Sequence, residues 1–110
     1  MDSTNKKYEV WIDDNYHAMM DPDSFQKYTE FDNAEDAIKK CKEILLDSLT
    51  YLYEDGMTLG DVIAQWAMFG DDPYIRAEDC KFSAREFLDK EIDKEAYFDE
   101  IKKYKNAKQK

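Results

Sequence analysis

The sequence predicts an α+β domain with a small antiparallel sheet of about three strands, with helices packed on one face, in the order β-β-α-α-β-α along the chain. Two segments near the N-terminus alternate between apolar and polar residues, which is typical of strands. Three later segments repeat apolar residues every three or four positions behind capping residues, which is typical of helices. Strands and helices without strict βαβ alternation favour the α+β class.

Length and composition indicate one folded body. The 110 residues leave no room for a second core. Apolar residues make up 43% of the chain and aromatic residues 15%, which is too much apolar surface for a disordered protein. We predict a single acidic α+β domain over residues 1–101 and a lysine-rich, frayed tail over residues 102–110.

Two strands are predicted first. The segment KYEVWI (residues 7–12) places Trp11 on the face opposite its apolar residues. The segment FQKYTEF (residues 25–31) places Tyr28 opposite Phe31, and the two strands should pair antiparallel. If helices cover only one face of the sheet, Trp11 or Tyr28 lies on the open side, where the connecting loop of residues 13–24 covers it or where it forms a contact face.

The first predicted helix follows directly. Asp32 is the expected N-cap, with Glu35 three positions later, and Gly56 is the expected stop. The apolar residues between them follow one helical face. They are Ala34, Ile38, Cys41, Leu45, Leu49 and Leu52.

A second helix is predicted over LGDVIAQWAMF (residues 59–69). Thr58 and Asp61 form its N-terminal cap, and Gly70 ends it. This helix is apolar on nearly every side, which is typical of buried helices. We therefore expect its large side chains to pack in the core, namely Trp66, Met68 and Phe69.

The C-terminal third completes the predicted order. Pro73 suits the first residue or the edge of a strand, so a short third strand is expected over residues 74–78. Ser83 and Glu86 have the spacing of a capping box and begin the final helix. The pattern leaves open whether that helix runs unbroken or bends near Asp93.

Charge and targeting signals restrict location and partners. The formal net charge is −10, although the last nine residues contain five lysines and no acid. A strongly acidic body repels nucleic acids and anionic membranes, so we predict neither as a partner. No apolar run approaches the roughly 20 residues of a membrane span, no secretory signal is present, and two cysteines cannot form a disulfide framework. These features favour the cytoplasm.

The stretch WIDDNYHAMMDPDSF contains the only histidine, His17, among several aspartates. It lacks the glycine and the closing glutamate of a calcium loop, and one histidine is too few for a transition-metal site. Cys41 lies on an apolar helical face, where a thiol stays protonated. We therefore predict no catalytic, cofactor-binding or metal-binding residue, no cofactor, and a protein that is not an enzyme.

The leading hypothesis is a protein-binding or regulatory module with an acidic, aromatic-bearing surface. Its partner is expected to be a protein with a basic surface or a second copy of the chain. The candidate contact residues are Trp11, Tyr16, His17 and Tyr28. One alternative is an acidic mimic of DNA that inhibits a nucleic-acid-binding protein. Another is a small metal-dependent or carboxylate hydrolase that uses His17.

Four strings together resemble a family of small bacterial proteins that has no assigned activity. They are EVWIDDNYHAM, EFDNAEDAIKKCKEIL, EDGMTLGDVIAQWAMFGDDPYI and KFSA. The resemblance covers roughly residues 8–92 and leaves out the lysine-rich tail. It implies a compact bacterial cytoplasmic domain that occurs on its own, and it implies no function for any residue.

Overall fold

The computed structural model describes residues 7–14 and 26–108, and it confirms the α+β class. Three strands form one antiparallel sheet in the order β2-β1-β3. Strand β1 spans Tyr8–Asp14, β2 spans Gln26–Phe31 and β3 spans Asp71–Arg76. The central strand is therefore the first in sequence, and both later strands pair with it.

Four helices accompany the sheet. They are α1 (Ala34–Leu52), α2 (Leu59–Phe69), the short α3 (Ala84–Glu86) and α4 (Lys94–Lys108), with a π-helical segment (Phe87–Glu91) after α3. The predicted order β-β-α-α-β-α is confirmed, with the last helical region divided. Within the described part of the chain, no helix combines the length and the apolar character needed to cross a membrane.

Local signals explain where α1 begins and ends. Its N-cap is Asn33, whose side-chain oxygen accepts a hydrogen bond from the Asp36 backbone N–H at 2.8 Å. The prediction of Asp32 as the cap is wrong by one residue; Asp32 instead pairs with Lys7. The helix ends at Leu52, four residues before Gly56, which adopts a positive φ of 95° in the following turn.

The bounds of helix α2 and its N-terminal cap match their prediction. Thr58 accepts a hydrogen bond from the Asp61 backbone N–H, and the Asp61 carboxylate accepts one from the Thr58 N–H. This reciprocal box satisfies two otherwise unpaired donors. At the other end, the Trp66 indole N–H donates to the Asp71 carbonyl at 2.8 Å. That bond fixes the start of β3 against the helix.

Buried side chains form two clusters that helix α1 connects. The larger lies among the helices, and its main members are Leu45, Leu49, Val62, Trp66, Leu88 and Ile101. The smaller lies between α1 and the sheet, and its members are Val10, Ala37, Cys41 and Ile75. Because Val10 and Ile75 point toward α1, this helix covers one face of the sheet.

Cross-strand pairs of β1 and β3 occupy the other face, since alternate residues point to opposite sides. They are Glu9 with Arg76, Trp11 with Tyr74, and Asp13 with Asp72. Strand β3 begins three residues before the predicted segment 74–78, so Pro73 lies inside it and pairs with Ile12. The position tolerates proline because β3 is an edge strand.

The final helix is interrupted at Ile92, whose extended backbone (ψ 151°) ends the π-helical segment. A side-chain oxygen of Asp93 then accepts a hydrogen bond from the Ala96 backbone N–H and begins α4. This helix includes residues 102–108, for which the sequence predicts a frayed tail. There the Lys105 ammonium donates to the Tyr51 carbonyl at 3.3 Å, near the negative end of the α1 dipole.

Candidate binding surfaces

The four predicted contact residues cannot be considered as one surface. Tyr16 and His17 lie outside the described residues. Trp11 is half-buried on the sheet face opposite α1. Its indole N–H donates to the Glu9 carboxylate at 2.9 Å, and the Arg76 guanidinium lies 4.0 Å from its ring centroid. Neighbours on the same sheet therefore already cover much of the Trp11 ring.

Tyr28 is displaced by a bulge in β2. Val10 pairs with Thr29 and Trp11 pairs with Lys27, so Tyr28 is the extra residue between two ladder positions. Strict alternation would place it on the same face as Trp11, and that expectation is wrong. Tyr28 instead lies near α1, with the Lys40 ammonium 5.7 Å from its ring, and its side chain is exposed.

A groove of about 480 Å³ lies where Tyr28 approaches α1 and the C-terminal end of α2. We call it the aromatic groove. Its apolar lining residues are Ile12, Tyr28, Ile44, Tyr51, Leu52 and Phe69. Asp47 and Asp71 also line it, and among its described lining residues none is basic. The groove is therefore both aromatic and acidic.

The aromatic residues of this groove remain accessible to water. Tyr51 is 83% exposed, Tyr28 54% and Phe69 46%, and the neighbouring Met68 is 59% exposed. The expectation that Phe69 and Met68 pack in the core is wrong, whereas Trp66 is buried as expected. Periodicity could not separate them, because a helix that is apolar on nearly every side does not reveal which side faces water.

We also did not predict from the sequence that residues of α1 line the aromatic groove. Ile44, Asp47 and Tyr51 repeat at intervals of three and four residues, so they form a second stripe beside the buried one. That spacing is the available signal for the groove wall. It is weak, because a mixed apolar and acidic stripe is also typical of a solvated helix face.

A second groove, of about 640 Å³, lies between α2, the π-helical segment and α4. We call it the apolar groove. Its large lining residues are Leu59, Ile63, Trp66, Leu88 and Phe98. Gly60 and Ala67 lie on its α2 side, and four charged residues also line it, namely Arg85, Asp89, Lys94 and Glu95. Since three separate elements form it, no local sequence pattern could predict it.

The described residues form no metal-ligand cluster, and their two thiols have raised pKa values. Within residues 7–14 and 26–108, no three His, Cys, Asp or Glu side chains come together as a metal site would require. Burial raises the pKa of the Cys41 thiol to about 12, so it stays protonated at neutral pH. Burial and then the nearby Asp79 also raise the pKa of Cys80. Neither thiol is activated as a nucleophile.

One carboxyl group on the sheet face opposite α1 is electrostatically unusual. Burial, the main cause, raises the pKa of Asp72 from 3.8 to about 6. The cross-strand partner Asp13 raises it further, and the Arg85 guanidinium opposes both effects. Like charges directly opposite on paired strands are destabilising. Asp72 therefore titrates just below neutral pH.

Comparison with known proteins adds no relative. No protein-family model, no curated protein and no solved structure matches the chain. The resemblance to a family of small bacterial proteins therefore stays a prediction.

Proposed function

We propose that this protein is a non-enzymatic module that binds a basic, apolar segment of another protein in the aromatic groove. One observation carries the proposal: three exposed aromatic side chains converge on one acidic groove, and they are Tyr28, Tyr51 and Phe69. Single exposed aromatic residues are ordinary. A cluster of them is the usual composition of a binding hot spot, because large rings exclude water from the contact.

The charge of the groove favours a basic partner. Asp47 and Asp71 line it, and the chain as a whole carries a net charge of −10. Such a field attracts basic segments and increases their association rate, and it repels acidic ones. The two free cysteines are compatible with a reducing compartment, which supports the cytoplasm as the proposed location.

The other functions considered for the sequence stay predictions. An acidic mimic of DNA needs a row of carboxylates at phosphate-like spacing, and a hydrolase that uses His17 needs a residue outside the described chain. Neither is favoured by a described feature comparable to the exposed aromatic cluster. We therefore rank protein binding through the aromatic groove first.

Affinity capture from the native cell, with matched variants, tests the proposal. The double substitution Tyr51→Ala and Phe69→Ala removes two exposed rings, and Met68→Ala removes an exposed neighbour that does not line the groove. We expect the wild type and Met68→Ala to capture the same basic protein, and the double variant to lose it by about tenfold or more. Capture should persist at high salt, because apolar contacts are not screened.

Two results would contradict the proposal. Equal capture of every partner by the double variant would remove the aromatic groove from the binding surface. A light-scattering mass of two chains for the wild type, and of one chain for the double variant, would show that a second copy occupies the groove. Circular dichroism should show the same fold for all three proteins, because the substituted side chains are exposed.

A further inference from the structure

Among the described residues, none lines both the apolar groove and the aromatic groove, so we treat the two as separate sites. Its volume of about 640 Å³ lies in the range of pockets that bind drug-sized ligands, roughly 300–1,000 Å³. Ile63, Leu88 and Phe98 give it an apolar wall from three different elements. Such a wall favours a ligand with an apolar body.

Two cations on the groove favour an anionic group on that ligand. The Arg85 guanidinium lies 5.5 Å from the centroid of the buried Trp66 ring. Among the described residues, neither Arg85 nor Lys94 makes a hydrogen bond or an ion pair, although Arg85 is close enough to Asp72 to lower the pKa of that carboxyl group. This is notable in a chain with 26 acidic residues. A guanidinium with free N–H donors can bind a carboxylate through two parallel hydrogen bonds.

The acids on the groove do not reverse this preference. Asp89 and Glu95 are exposed, as are the two cations, so all four charges lie at the rim. Of the four, Arg85 is the side chain whose charged group lies against an apolar ring of the wall. A charge held beside an apolar wall interacts more strongly with a ligand than a charge in open solvent.

Gly60 is not explained by the fold. Its φ is not positive, and a Cβ atom there would meet only the Thr58 Oγ1 atom, at an ordinary 3.7 Å. Glycine within a helix is also less stable than alanine. Neither backbone conformation nor close packing therefore requires it. Its position on the groove gives it another role, because a side chain at residue 60 would occupy the open space.

We propose that the apolar groove binds an amphipathic carboxylate, a molecule with an alkyl-chain body and one carboxylate group. The chain lies against Ile63, Leu88 and Phe98, and the carboxylate accepts hydrogen bonds from Arg85. Lys94 adds a second positive charge at the rim. Gly60 leaves the space that the chain fills.

Titration with two surfactants of equal chain length tests the ligand class. Decanoate carries a carboxylate, and decyltrimethylammonium carries a positive charge on the same ten-carbon chain; both are used below their micelle concentrations. We expect calorimetry to show one decanoate per chain, bound about tenfold or more tightly than the cation. Non-specific adsorption to a protein of net charge −10 would give the opposite order. In the Trp11→Phe variant, the fluorescence of the remaining tryptophan, Trp66, should change as decanoate binds.

Substitutions then locate the site. Gly60→Leu should abolish decanoate binding and Gly60→Ala should retain it, because only leucine fills the groove. Arg85→Gln should weaken binding about tenfold. The control Arg76→Gln should leave it unchanged, since Arg76 lies over Trp11 and outside the groove. If Gly60→Leu disturbs folding, Ala67→Met fills the groove from another position.

Several outcomes would overturn the proposal. Unchanged decanoate affinity in folded Gly60→Leu or Ala67→Met would place the ligand elsewhere. Unchanged affinity in Arg85→Gln, or equal binding of the cationic surfactant, would rule out the carboxylate contact. Failure of the wild type to bind decanoate saturably would rule out this ligand class altogether.

Discussion

Helix α2 lies beside a different groove at each end, and each end carries a glycine. Near its start, Gly60 lines the apolar groove, and a Cβ atom there would meet no atom closer than 3.7 Å. At its end, Gly70 lines the aromatic groove, and a Cβ atom there would lie 2.3 Å from the Trp66 ring. The same residue type therefore leaves space at one end and permits close packing at the other.

The difference shows that the two grooves differ in how firmly their walls are fixed. At the Gly70 end, the Trp66 indole and the Ser48 hydroxyl bond to the Asp71 backbone and join α2, α1 and β3. The aromatic groove is therefore built on a hydrogen-bonded junction of three elements, and its aromatic rings are exposed to solvent. At the Gly60 end, the wall has open space that an added side chain could fill.

The largest effect is expected at the rigid end, from Gly70→Ala. The added methyl group would overlap the Trp66 ring and lie 2.9 Å from the Ser48 Oγ atom. Overpacking of this kind lowers the free energy of unfolding by about 1–3 kcal/mol. Urea denaturation followed by circular dichroism measures it. Wild-type stability for Gly70→Ala would show that this junction can relax, which would contradict the contrast between the two ends.

Much of this architecture follows from local sequence signals. The start of α2 is specified by Thr58 and Asp61, because a capping box depends on neighbours within one turn. The exposure of Phe69 is not specified in this way, since it depends on how α2 packs against distant elements. The bulge at Tyr28 could not be predicted either, because the alternation of residues in β2 does not show where an extra residue is inserted.

For the candidate sites, the sequence indicates the type of surface but not most of the residues that form it. An acidic, aromatic-bearing surface was expected from composition, and the aromatic groove has that character. Of the two expected contact residues that the structure describes, Tyr28 lines it and Trp11 does not. Tyr51 and Phe69 were missed because a groove between elements is a tertiary feature. The apolar groove had no sequence signal, since its wall combines α2, the π-helical segment and α4.

A second, smaller effect is expected just beyond Gly70, from Asp72→Asn. The folded-state pKa of Asp72 is raised to about 6, above its ordinary value of 3.8. The contribution of Asp72 to the free energy of unfolding of the wild type is therefore greatest below pH 4, and it decreases as the pH rises to about 6. Asp72→Asn removes the buried charge and should stabilise the protein by about 1–2 kcal/mol at pH 7.5. The full shift of the Asp72 pKa corresponds to about 3 kcal/mol, but Asp72 is partly exposed, so solvent screens its charge and reduces the effect.

The stability difference between the wild type and Asp72→Asn, measured as a function of pH, distinguishes an effect of the Asp72 charge from an effect of packing. Thermal or urea unfolding of the wild type and of Asp72→Asn should give equal stabilities below pH 4, and the curves should diverge up to about pH 6. The control Asp55→Asn removes one negative charge from an exposed position in the turn after α1, and it therefore reports the general effect of losing one negative charge. A constant difference at every pH would show that Asp72 acts through shape rather than through its charge.

The smallest effect is expected at the open end, from Gly60→Ala. Alanine is favoured over glycine in a helix by about 0.5–1 kcal/mol, and the added methyl group meets only an ordinary contact. The substitution should therefore increase the free energy of unfolding, in the opposite direction to Gly70→Ala on the same helix. Parallel urea titrations of both variants measure the difference in sign. Destabilisation by Gly60→Ala would mean that the groove wall is already filled or strained at this point, and Gly60 would then need a structural explanation like that of Gly70.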